Sequence, residues 1–322
     1  MQKVSIIIPC WNAEAFIADA INSALAQSYL NKEIIVVDDG SADKSLRVIE
    51  SFGDKVTTIS IKNSGAGVAR NIGFSASSGE WVKFLDADDY LLPGCVEKQV
   101  IEALKLSDKE FPVGRAYRLI ETTGVIFPNS SRDSLLNRQE SLSDIVMDVP
   151  IIAAPLYRRN TLEKIGCFDE ALPIRQDFDL FIRVLLSGDQ PIMTPEPVCV
   201  WRDHVNEERV SNLNSLNKAE QQYAMYEKLI NILAALEPNK RKYEIEDGLA
   251  VSIWATGRRV LRQGNEELSR DFFSLAKACS HRKNVSGQSL YRLVNRMFGP
   301  IVAESLLDTL KSSLEKLRRK PL

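Results

Sequence analysis

Residues 80–93 have the sequence EWVKFLDADDYLLP, in which a short apolar run leads directly into an acidic cluster. The apolar run, from Trp81 to Leu85, is typical of a short buried strand. Three carboxylates, those of Asp86, Asp88 and Asp89, follow within four positions. Carboxylates packed so densely repel one another, so a folded strand end needs a cation or strong hydrogen-bond donors beside them.

A hard divalent metal is one way to offset this repulsion. Mg²⁺ or Mn²⁺ takes one or two protein carboxylates and leaves room for phosphate oxygens. The alternative is a solvated acidic turn, and so short a match does not distinguish the two. The rest of the sequence has to decide between them.

The composition is that of a soluble globular protein. The 322 residues are 44% hydrophobic and 26% charged, which suits one large domain or two ordinary ones. The formal net charge of −2 argues against a nucleic-acid-binding protein. The five cysteines lie far apart, without a CxxC pair or a nearby His, which argues against a zinc site or a dense disulfide framework and favours a reducing cytosol.

Neither a signal peptide nor a membrane-spanning helix is expected. The apolar part of the amino-terminal MQKVSIIIPCWN is too short for a signal-peptide core, and no run approaches the ~20 apolar residues that cross a bilayer. Residues 304–320 place leucines on one stripe beside Lys and Arg, which predicts a basic amphipathic helix. Such a helix lies on an anionic membrane or, more commonly, packs on its own domain or on a second subunit. We therefore expect a cytoplasmic protein, soluble or peripheral to the inner face of the membrane.

Strand and helix patterns alternate along the first part of the chain. In order, the predicted segments are strand 4–8, helix 14–27, strand 33–37, a helix around 46–49, strand 56–61, helix 66–76, strand 81–85 and helix 93–105. This alternation predicts an α/β fold with an open, doubly wound, mostly parallel sheet that binds ligands outside the carboxyl ends of its strands. Three of those ends carry polar loops, at 9–12, 38–41 and 86–89, and one crevice should gather all three.

The pattern changes twice further along the chain. We expect, in order, a hairpin over 112–128, a helix over 134–147, a strand near 152–157, a helix over 159–165, an amphipathic helix in PIRQDFDLFIRVLLSG and an edge strand over 191–201, which contains prolines. Beyond about residue 210, helix formers recur at three-to-four spacing. The sequence therefore predicts an α/β domain over 1–210 and a smaller helical domain over 211–322.

Five segments of this chain resemble, in order and spacing, the motifs of the family 2 glycosyltransferases. They are VSIIIPCWNAEAFI, EIIVVDDGSAD, NSGAGVARNIGFSASSGEWVKFLDADD, FDEALPIRQDFDLFIR and VWRDH. Enzymes of this family have the GT-A fold, use a nucleotide-diphosphate sugar and invert the anomeric centre. The resemblance covers roughly the first 210 residues and implies that they form the catalytic domain. It does not extend to the helical domain over 211–322, for which we expect an acceptor, oligomer or membrane-surface role.

The resemblance implies roles for the first two polar loops in holding the nucleotide. Pro9 and Trp11 lie in the loop that contacts the base, although a Trp at a strand end is also commonly part of a core. A carboxylate can accept hydrogen bonds from the uracil imide nitrogen and from a ribose hydroxyl, so Asp38 and Asp39 would divide these contacts, with Asp39 recognising the base. The alternative is a DDGS turn that caps the next helix.

GAGVARNIG, residues 65–73, is not a dinucleotide-binding fingerprint, because Arg70 occupies the sixth position and the preceding strand is the third. Arg70 can contact the diphosphate, or it can form a structural salt bridge with the acidic cluster of Asp86, Asp88 and Asp89.

The resemblance favours a metal at the acidic cluster and extends the site to VWRDH. It implies that Asp88 binds Mn²⁺ or Mg²⁺ on the diphosphate, that Asp86 binds the metal or the ribose, and that Asp89 supports them. Arg202 and His204 are implied to hold the diphosphate or the metal, although a lone His is more often structural.

An inverting transfer needs one general base that faces the anomeric carbon, and the resemblance assigns this role to Asp177. Many relatives have Glu-Asp at this place, whereas this chain has Gln176 before Asp177. The alternative for Asp177 is a cap at the start of its helix. Asp179 points elsewhere on the helix and is expected to be a structural partner.

The resulting hypothesis is a metal-dependent hexosyl- or N-acetylhexosaminyltransferase of polysaccharide biosynthesis. It moves a sugar from a UDP-sugar, or another nucleotide sugar, to a hydroxyl of a growing glycan or lipid-linked saccharide. One alternative is a non-catalytic nucleotide-sugar-binding protein. The other is a sugar nucleotidyltransferase, which usually has a glycine-rich basic loop after the first strand, and PCWNAEAF is neither glycine-rich nor basic.

Overall fold

Strands and helices alternate along the chain as the hydrophobic pattern predicts. The structure is a computed structural model that describes residues 2–128, 141–204, 216–281, 294–295, 297–304 and 306. The elements in chain order are β1 (Val4–Cys10), α1 (Ile17–Leu25), β2 (Lys32–Asp38), α2 (Ser45–Glu50), a 3₁₀ helix (Gly53–Lys55), β3 (Thr57–Ser60), α3 (Ala66–Ala76), β4 (Trp81–Phe84), β5 (Tyr90–Leu91), α4 (Cys95–Ala103), β6 (Glu110–Ile120), β7 (Val125–Pro128), α5 (Leu142–Met147), β8 (Tyr157–Arg158), α6 (Arg159–Ile165), α7 (Gln176–Leu186), β9 (Gln190–Asp203), α8 (Leu216–Ala234), α9 (Lys240–Arg262) and α10 (Glu266–Cys279).

The first sheet has the strand order β3-β2-β1-β4-β8. Strands β1 to β4 are parallel, and β8 joins β4 in the antiparallel direction. Every residue of β1 and of β4 is buried, as expected for parallel strands covered on both faces. The predicted α/β fold with a mostly parallel sheet is therefore confirmed, and the carboxyl ends of β1, β2 and β4 lie at one edge.

Helix α3 packs directly on this sheet. Ala69 forms a buried cluster with Ile35 and Val37 of β2. A Cβ added to Gly73 would lie only 2.5 Å from the Ile7 side chain, so glycine is needed where α3 crosses β1. The start of α3 lies beside the carboxyl end of β2, where the backbone N–H groups of Ser64 and Gly65 donate to Asp39.

The second sheet has the order β5-β9-β6-β7, and it corrects the predicted position of the proline-containing strand. Strand β9 was expected at an edge, but β5 pairs with it at Cys199 and Val200 while β6 pairs with it along its length. Pro191, Pro195 and Pro197 lie in the part of β9 that pairs with β6 alone. Proline has no N–H to donate, so it is tolerated where one side of the strand has no neighbour.

Other segments differ from the predictions in length. The predicted hairpin is formed by β6 and β7. The predicted strand at 152–157 is reduced to β8 and an isolated bridge between Pro155 and Val113, because the chain there crosses from one sheet to the other. Of the helix predicted over 134–147, the structure describes α5, which Ser141 caps, and residues 134–140 lie outside the described residues.

The chain divides into two compact units, Met1–Gln139 with Val149–Ser211, and Glu140–Asp148 with Asn212–Leu322. The sequence-based boundary at residue 210 placed α5 in the first domain, whereas α5 belongs to the second unit. A Cβ added to Gly248 of α9 would lie 2.6 Å from the Ser143 carbonyl oxygen, so glycine lets α5 pack closely on α9.

The second unit is helical, as the sequence predicts. Helices α8, α9 and α10 pack around an aromatic core that includes Trp254, whose ring centroid lies 4.5 Å from that of Phe273. Asn239 and Asn265 cap the starts of α9 and α10. The predicted basic helix at 304–320 lies outside the described residues except for Glu304 and Leu306. Among the helices that are described, none is long and apolar enough to span a bilayer.

Glu33 joins three strands of the first sheet at their amino ends. Its carboxylate accepts hydrogen bonds from Lys3 Nζ (2.5 Å) and Ser5 Oγ (2.7 Å), and from the backbone N–H of Ser78 (2.6 Å) and Gly79 (3.1 Å). Burial alone would raise the pKa of Glu33, but these hydrogen bonds and the charge of Lys3 outweigh it and lower the pKa to about 2.

We expect Glu33→Gln to destabilise the protein at neutral pH by on the order of 1–2 kcal/mol, because the donors lose a charged acceptor. A depressed folded-state pKa contributes stability that is complete above the unfolded pKa of about 4.3 and is lost as the pH falls towards about 2. The difference between wild type and variant in urea unfolding should therefore shrink below about pH 4. Glu50→Gln, which removes the same charge from an exposed position, is the control. A pH-independent difference would contradict the account.

Candidate functional site

A cavity of about 780 Å³ lies at the carboxyl ends of β1, β2 and β4. This volume falls within the range of small-molecule sites. Most of the predicted site residues line it, namely Pro9, Trp11, Asp39, Arg70, Asp86, Asp88, Asp177 and His204. Asp38 and Arg202 are not among the lining residues. One crevice thus gathers the polar loops as expected, and the start of α7 closes it.

Trp11 lies on a loop that hydrogen bonds to the neighbouring loop after β2. Asn12 adopts a left-handed conformation with φ of 48°, its N–H donates to Ser41 Oγ (3.0 Å), and its Oδ1 accepts from the Ala42 N–H (2.8 Å). Asn tolerates this conformation better than most residues. Trp11 is 42% exposed and lines the cavity, which is not how a core Trp packs. Its indole is therefore available for stacking on a ligand.

Asp38 and Asp39 have different surroundings although they are adjacent. Asp39 is buried, and its two carboxylate oxygens accept from the backbone N–H of Ser64 (2.7 Å) and Gly65 (2.8 Å), at the start of α3. Each oxygen retains a second lone pair, and Asp39 lines the cavity. Asp38 is buried, does not line the cavity, and accepts from the Ser41 N–H (3.3 Å) within a turn. This turn does not cap the next helix, because α2 begins at Ser45 without a side-chain cap.

Arg70 connects the acidic loop to α7. It is 8% exposed, and it donates to Asp86 Oδ1 (2.6 Å) and to Gln176 Oε1 (2.9 Å). Its guanidinium also lies over the Phe168 ring, 5.2 Å from the centroid. The structure therefore contains the salt bridge that the sequence left open, and Arg70 also lines the cavity.

The three acids of the loop lie together but have different environments. One oxygen from each of Asp86, Asp88 and Asp89 lies within 4.8 Å of the others. Asp89 is 2% exposed and accepts a hydrogen bond from the Arg202 backbone N–H (2.9 Å), so it anchors the loop to β9. Asp86 and Asp88 have partly exposed side chains at the cavity. Closely spaced carboxylate oxygens that face a cavity fit Mg²⁺ or Mn²⁺.

Arg202 lies near the carboxyl end of β9, and His204 directly follows the strand. The two side chains have different partners. His204 Nε2 lies 3.0 Å from Asp88 Oδ2, and its ring lies 4.6 Å from that of Phe16. The Arg202 guanidinium donates to Asp19 Oδ2 (2.5 Å) and lies between the rings of Phe16 and Tyr90. His204 thus lies beside the acidic cluster and lines the cavity, whereas Arg202 is not among the lining residues.

Asp177 is the second residue of α7 and lines the cavity. No side chain caps this helix, so the capping alternative for Asp177 has no support in the structure. Gln176 Nε2 donates to the Leu172 carbonyl oxygen (2.6 Å) while Gln176 Oε1 accepts from Arg70, which fixes the helix start. Asp179 is fully buried and pairs with Arg183 at 2.6 Å, as a structural partner.

Several lining residues were not predicted from the sequence. Residues 63–67, which form the end of a loop and the first turn of α3, line the cavity, and their small or neutral side chains were not assigned a role from the sequence. Ile151, Ile152 and Trp201 contribute apolar surface. Arg175 immediately precedes the Gln-Asp pair, and its charge beside the candidate base was a signal that could have identified it.

Sequence comparisons are consistent with this geometry. The family model for Glycosyl transferase family 2 matches residues 5–166. An uncharacterized glycosyltransferase of Rickettsia conorii is 35% identical over 219 residues, which cover 66% of this chain and 36% of the relative. An uncharacterized glycosyltransferase of Rickettsia typhi is 33% identical over 231 residues, which cover 70% of each chain. This chain thus spans about a third of the length of the Rickettsia conorii relative and 70% of the length of the Rickettsia typhi relative.

Solved structures share the fold at low sequence identity. Residues 1–349 of TarS from S. aureus, in complex with UDP-GlcNAc, superpose with a TM-score of 0.73 and 19% identity, covering 97% of this chain and 92% of that one. The mannosyltransferase PcManGT from Pyrobaculum calidifontis, in complex with GDP-Man and Mn²⁺, gives a TM-score of 0.60 and 16% identity, covering 97% and 80%. With a family model that matches half of its length and this fold, the chain belongs to glycosyl transferase family 2 and has the GT-A fold.

Proposed function

We propose that this protein is an inverting glycosyltransferase that moves a sugar from a nucleoside-diphosphate sugar, foremost a UDP-sugar, to a hydroxyl of a glycan or lipid-linked saccharide. The observation that carries the proposal is that one cavity is lined by Asp86 and Asp88, which suit a leaving diphosphate with its metal, and by Asp177, which suits an acceptor hydroxyl. A non-catalytic binding protein would not need the second group.

The nucleotide binds between the first two polar loops. Trp11 stacks on the base, and Asp39 accepts a hydrogen bond from it with the lone pairs that Ser64 and Gly65 leave available. Support for UDP as the nucleotide comes from the TarS structure, which was solved with UDP-GlcNAc. That complex also favours an N-acetylhexosaminyl group over other hexosyl groups.

The diphosphate binds at the end of β4. A divalent metal there, Mn²⁺ or Mg²⁺, is held by Asp88 and Asp86, and it supplies positive charge to the diphosphate as the sugar leaves. His204 holds the Asp88 carboxylate through the 3.0 Å contact or joins it as a ligand. Arg70 fixes Asp86 and adds its own charge at the cavity wall. The PcManGT complex with GDP-Man and Mn²⁺ supports the metal by analogy.

The acceptor hydroxyl is activated by Asp177. A hydroxyl is a weak nucleophile, and proton transfer to a positioned carboxylate as the new bond forms lowers the barrier. The oxygen attacks the anomeric carbon on the side opposite the diphosphate, so the configuration inverts. Asp177 is kept in place by the hydrogen bonds of Gln176 to Arg70 and to Leu172.

Asp177→Asn should lower sugar transfer by about 10²–10⁴-fold, because the amide cannot accept the acceptor proton. The measurement is release of the nucleoside diphosphate with Mn²⁺, as UDP from UDP-GlcNAc, UDP-glucose and UDP-galactose, and as GDP from GDP-mannose, which represents the competing nucleotide class. Asp108→Asn, which changes an exposed Asp outside the cavity, is the matched control. Turnover by Asp177→Asn close to that of wild type, with the protein folded, would show that Asp177 is not the base.

Asp88→Ala should weaken Mn²⁺-dependent binding of UDP, whereas Asp89→Ala should destabilise the fold. Asp88→Ala removes a metal ligand at the cavity, so we expect the Mn²⁺-dependent part of UDP affinity to fall with little loss of stability. Asp89→Ala leaves the buried Arg202 N–H without its acceptor and should cost about 1–3 kcal/mol of stability. Calorimetric titration of UDP with and without Mn²⁺, together with urea unfolding, measures both quantities. An Mn²⁺ contribution that persists in Asp88→Ala would exclude the proposed ligand.

A further inference from the structure

Arg175 occupies an unusual place at the cavity. It precedes α7, lines the cavity, and has a positive φ of 59°. A left-handed backbone conformation costs a residue other than glycine roughly 1 kcal/mol, and such strained residues cluster at functional sites. Glycine at this position would avoid the strain, so the side chain of Arg175 needs its own explanation.

The cavity provides that explanation through its charges. The basic side chains among its described lining residues are Arg70, Arg175 and His204. Arg70 pairs with Asp86, and His204 contacts Asp88. For Arg175, the described part of the chain shows the ring of Phe178, 4.6 Å from the guanidinium carbon, and no carboxylate within ion-pair distance. Its Nε is buried without a hydrogen-bond partner among those residues.

We infer that Arg175 binds an anionic group, a phosphate or a carboxylate, carried by the acceptor next to the hydroxyl that Asp177 deprotonates. The inference rests on the proposed function. Arg175 is two residues from Asp177, whereas the diphosphate is assigned to the end of β4, where Arg70 and His204 already lie. A guanidinium presents a planar fork of donors that matches both kinds of anion.

The inference also accounts for how an anion can approach the base. Asp177 and Glu170 line this part of the cavity, and their charges would repel an anionic acceptor. Glu170 already accepts a hydrogen bond from Asn71. Arg175 is therefore the described cation best placed to offset the repulsion, and it makes the charge of the acceptor a specificity determinant.

The test compares the binding of glucose 6-phosphate and of glucose to wild type, Arg175→Ala and Arg175→Lys. Calorimetric titrations are run with saturating UDP and Mn²⁺ and repeated without UDP. We expect wild type to bind the phosphorylated sugar about tenfold or more tightly than glucose, as charge-assisted hydrogen bonds imply. Arg175→Ala should abolish this preference, and Arg175→Lys, which keeps the charge but loses the fork, should retain part of it.

Three results would overturn the inference. They are equal binding of the two sugars by wild type, a preference that survives in Arg175→Ala, and an equal loss of affinity for both sugars in Arg175→Ala. Thermal unfolding of each variant identifies a fold that has failed, in which case Arg175→Lys alone decides whether the preference depends on the guanidinium.

Two further measurements identify the source of the anion. A loss of UDP affinity in Arg175→Ala as large as the loss for glucose 6-phosphate would assign Arg175 to the diphosphate and overturn the acceptor assignment. A selective loss of UDP release from UDP-glucuronic acid relative to UDP-glucose would assign it to the donor sugar, with the same consequence. Charge-dependent sugar binding by a wild type that turns over none of the donors would refute the proposed function and, with it, the acceptor assignment, and would leave Arg175 only as a binding residue for an anionic sugar.

Discussion

The site depends on the contacts that compensate the mutual repulsion of three carboxylates at the end of β4, those of Asp86, Asp88 and Asp89. Each acid has a partner from a different part of the chain: Asp86 pairs with Arg70, Asp88 with His204, and Asp89 with the backbone N–H of Arg202. These contacts bring α3 and the end of β9 to one place. Because Arg70 also binds Gln176, the same offset positions α7 and its first turn. The contacts that compensate the charges of residues 86–89 thus position the elements that surround the cavity.

The partners of the acids also decide which of them remain available to a ligand. Asp89 is buried, so its charge serves the fold. Asp86 and Asp88 keep exposed surface at the cavity although each has a partner. A metal on the diphosphate would add positive charge beside these two carboxylates, which Arg70 and His204 contact. The partly exposed carboxylates of Asp86 and Asp88 are therefore consistent with a site that binds a cation together with its anionic ligand.

Much of the first sheet could be predicted because parallel strands are buried on both faces. Their continuous β-branched runs, as in β1 and β2, have few other interpretations. Both ends of helix α3 were also predicted, because Gly65 precedes the helix and the helical spacing of apolar residues ends at Ala76. The helical period likewise separated Asp177 from Asp179, because residues two apart on a helix face different directions.

The remaining features depend on contacts that no local pattern encodes. Asp38 and Asp39 are chemically identical, and only the orientation of the β2 end determines that Asp39 faces the cavity. Arg202 binds Asp19, a residue far away in sequence, because β9 ends beside α1. The position of β9 was mispredicted because its prolines were taken to exclude two neighbours along the whole strand. In fact, β5 pairs with it only beyond the last proline.

Gln176 stands where the resemblance to family 2 implies a glutamate, and it accepts a hydrogen bond from Arg70 without adding a negative charge. A glutamate at this position would share the Arg70 guanidinium with Asp86 and add one negative charge beside Asp177. Its carboxylate would also face the Leu172 carbonyl oxygen, to which Gln176 Nε2 now donates, so an acceptor would meet an acceptor. The amide therefore suits both the helix start and a cavity with less negative charge. Arg175, which is cationic and has a strained backbone, lies beside it. Together, Arg175 and Gln176 make the region around Asp177 less negatively charged than a Glu-Asp pair would, and this favours the binding of an anion.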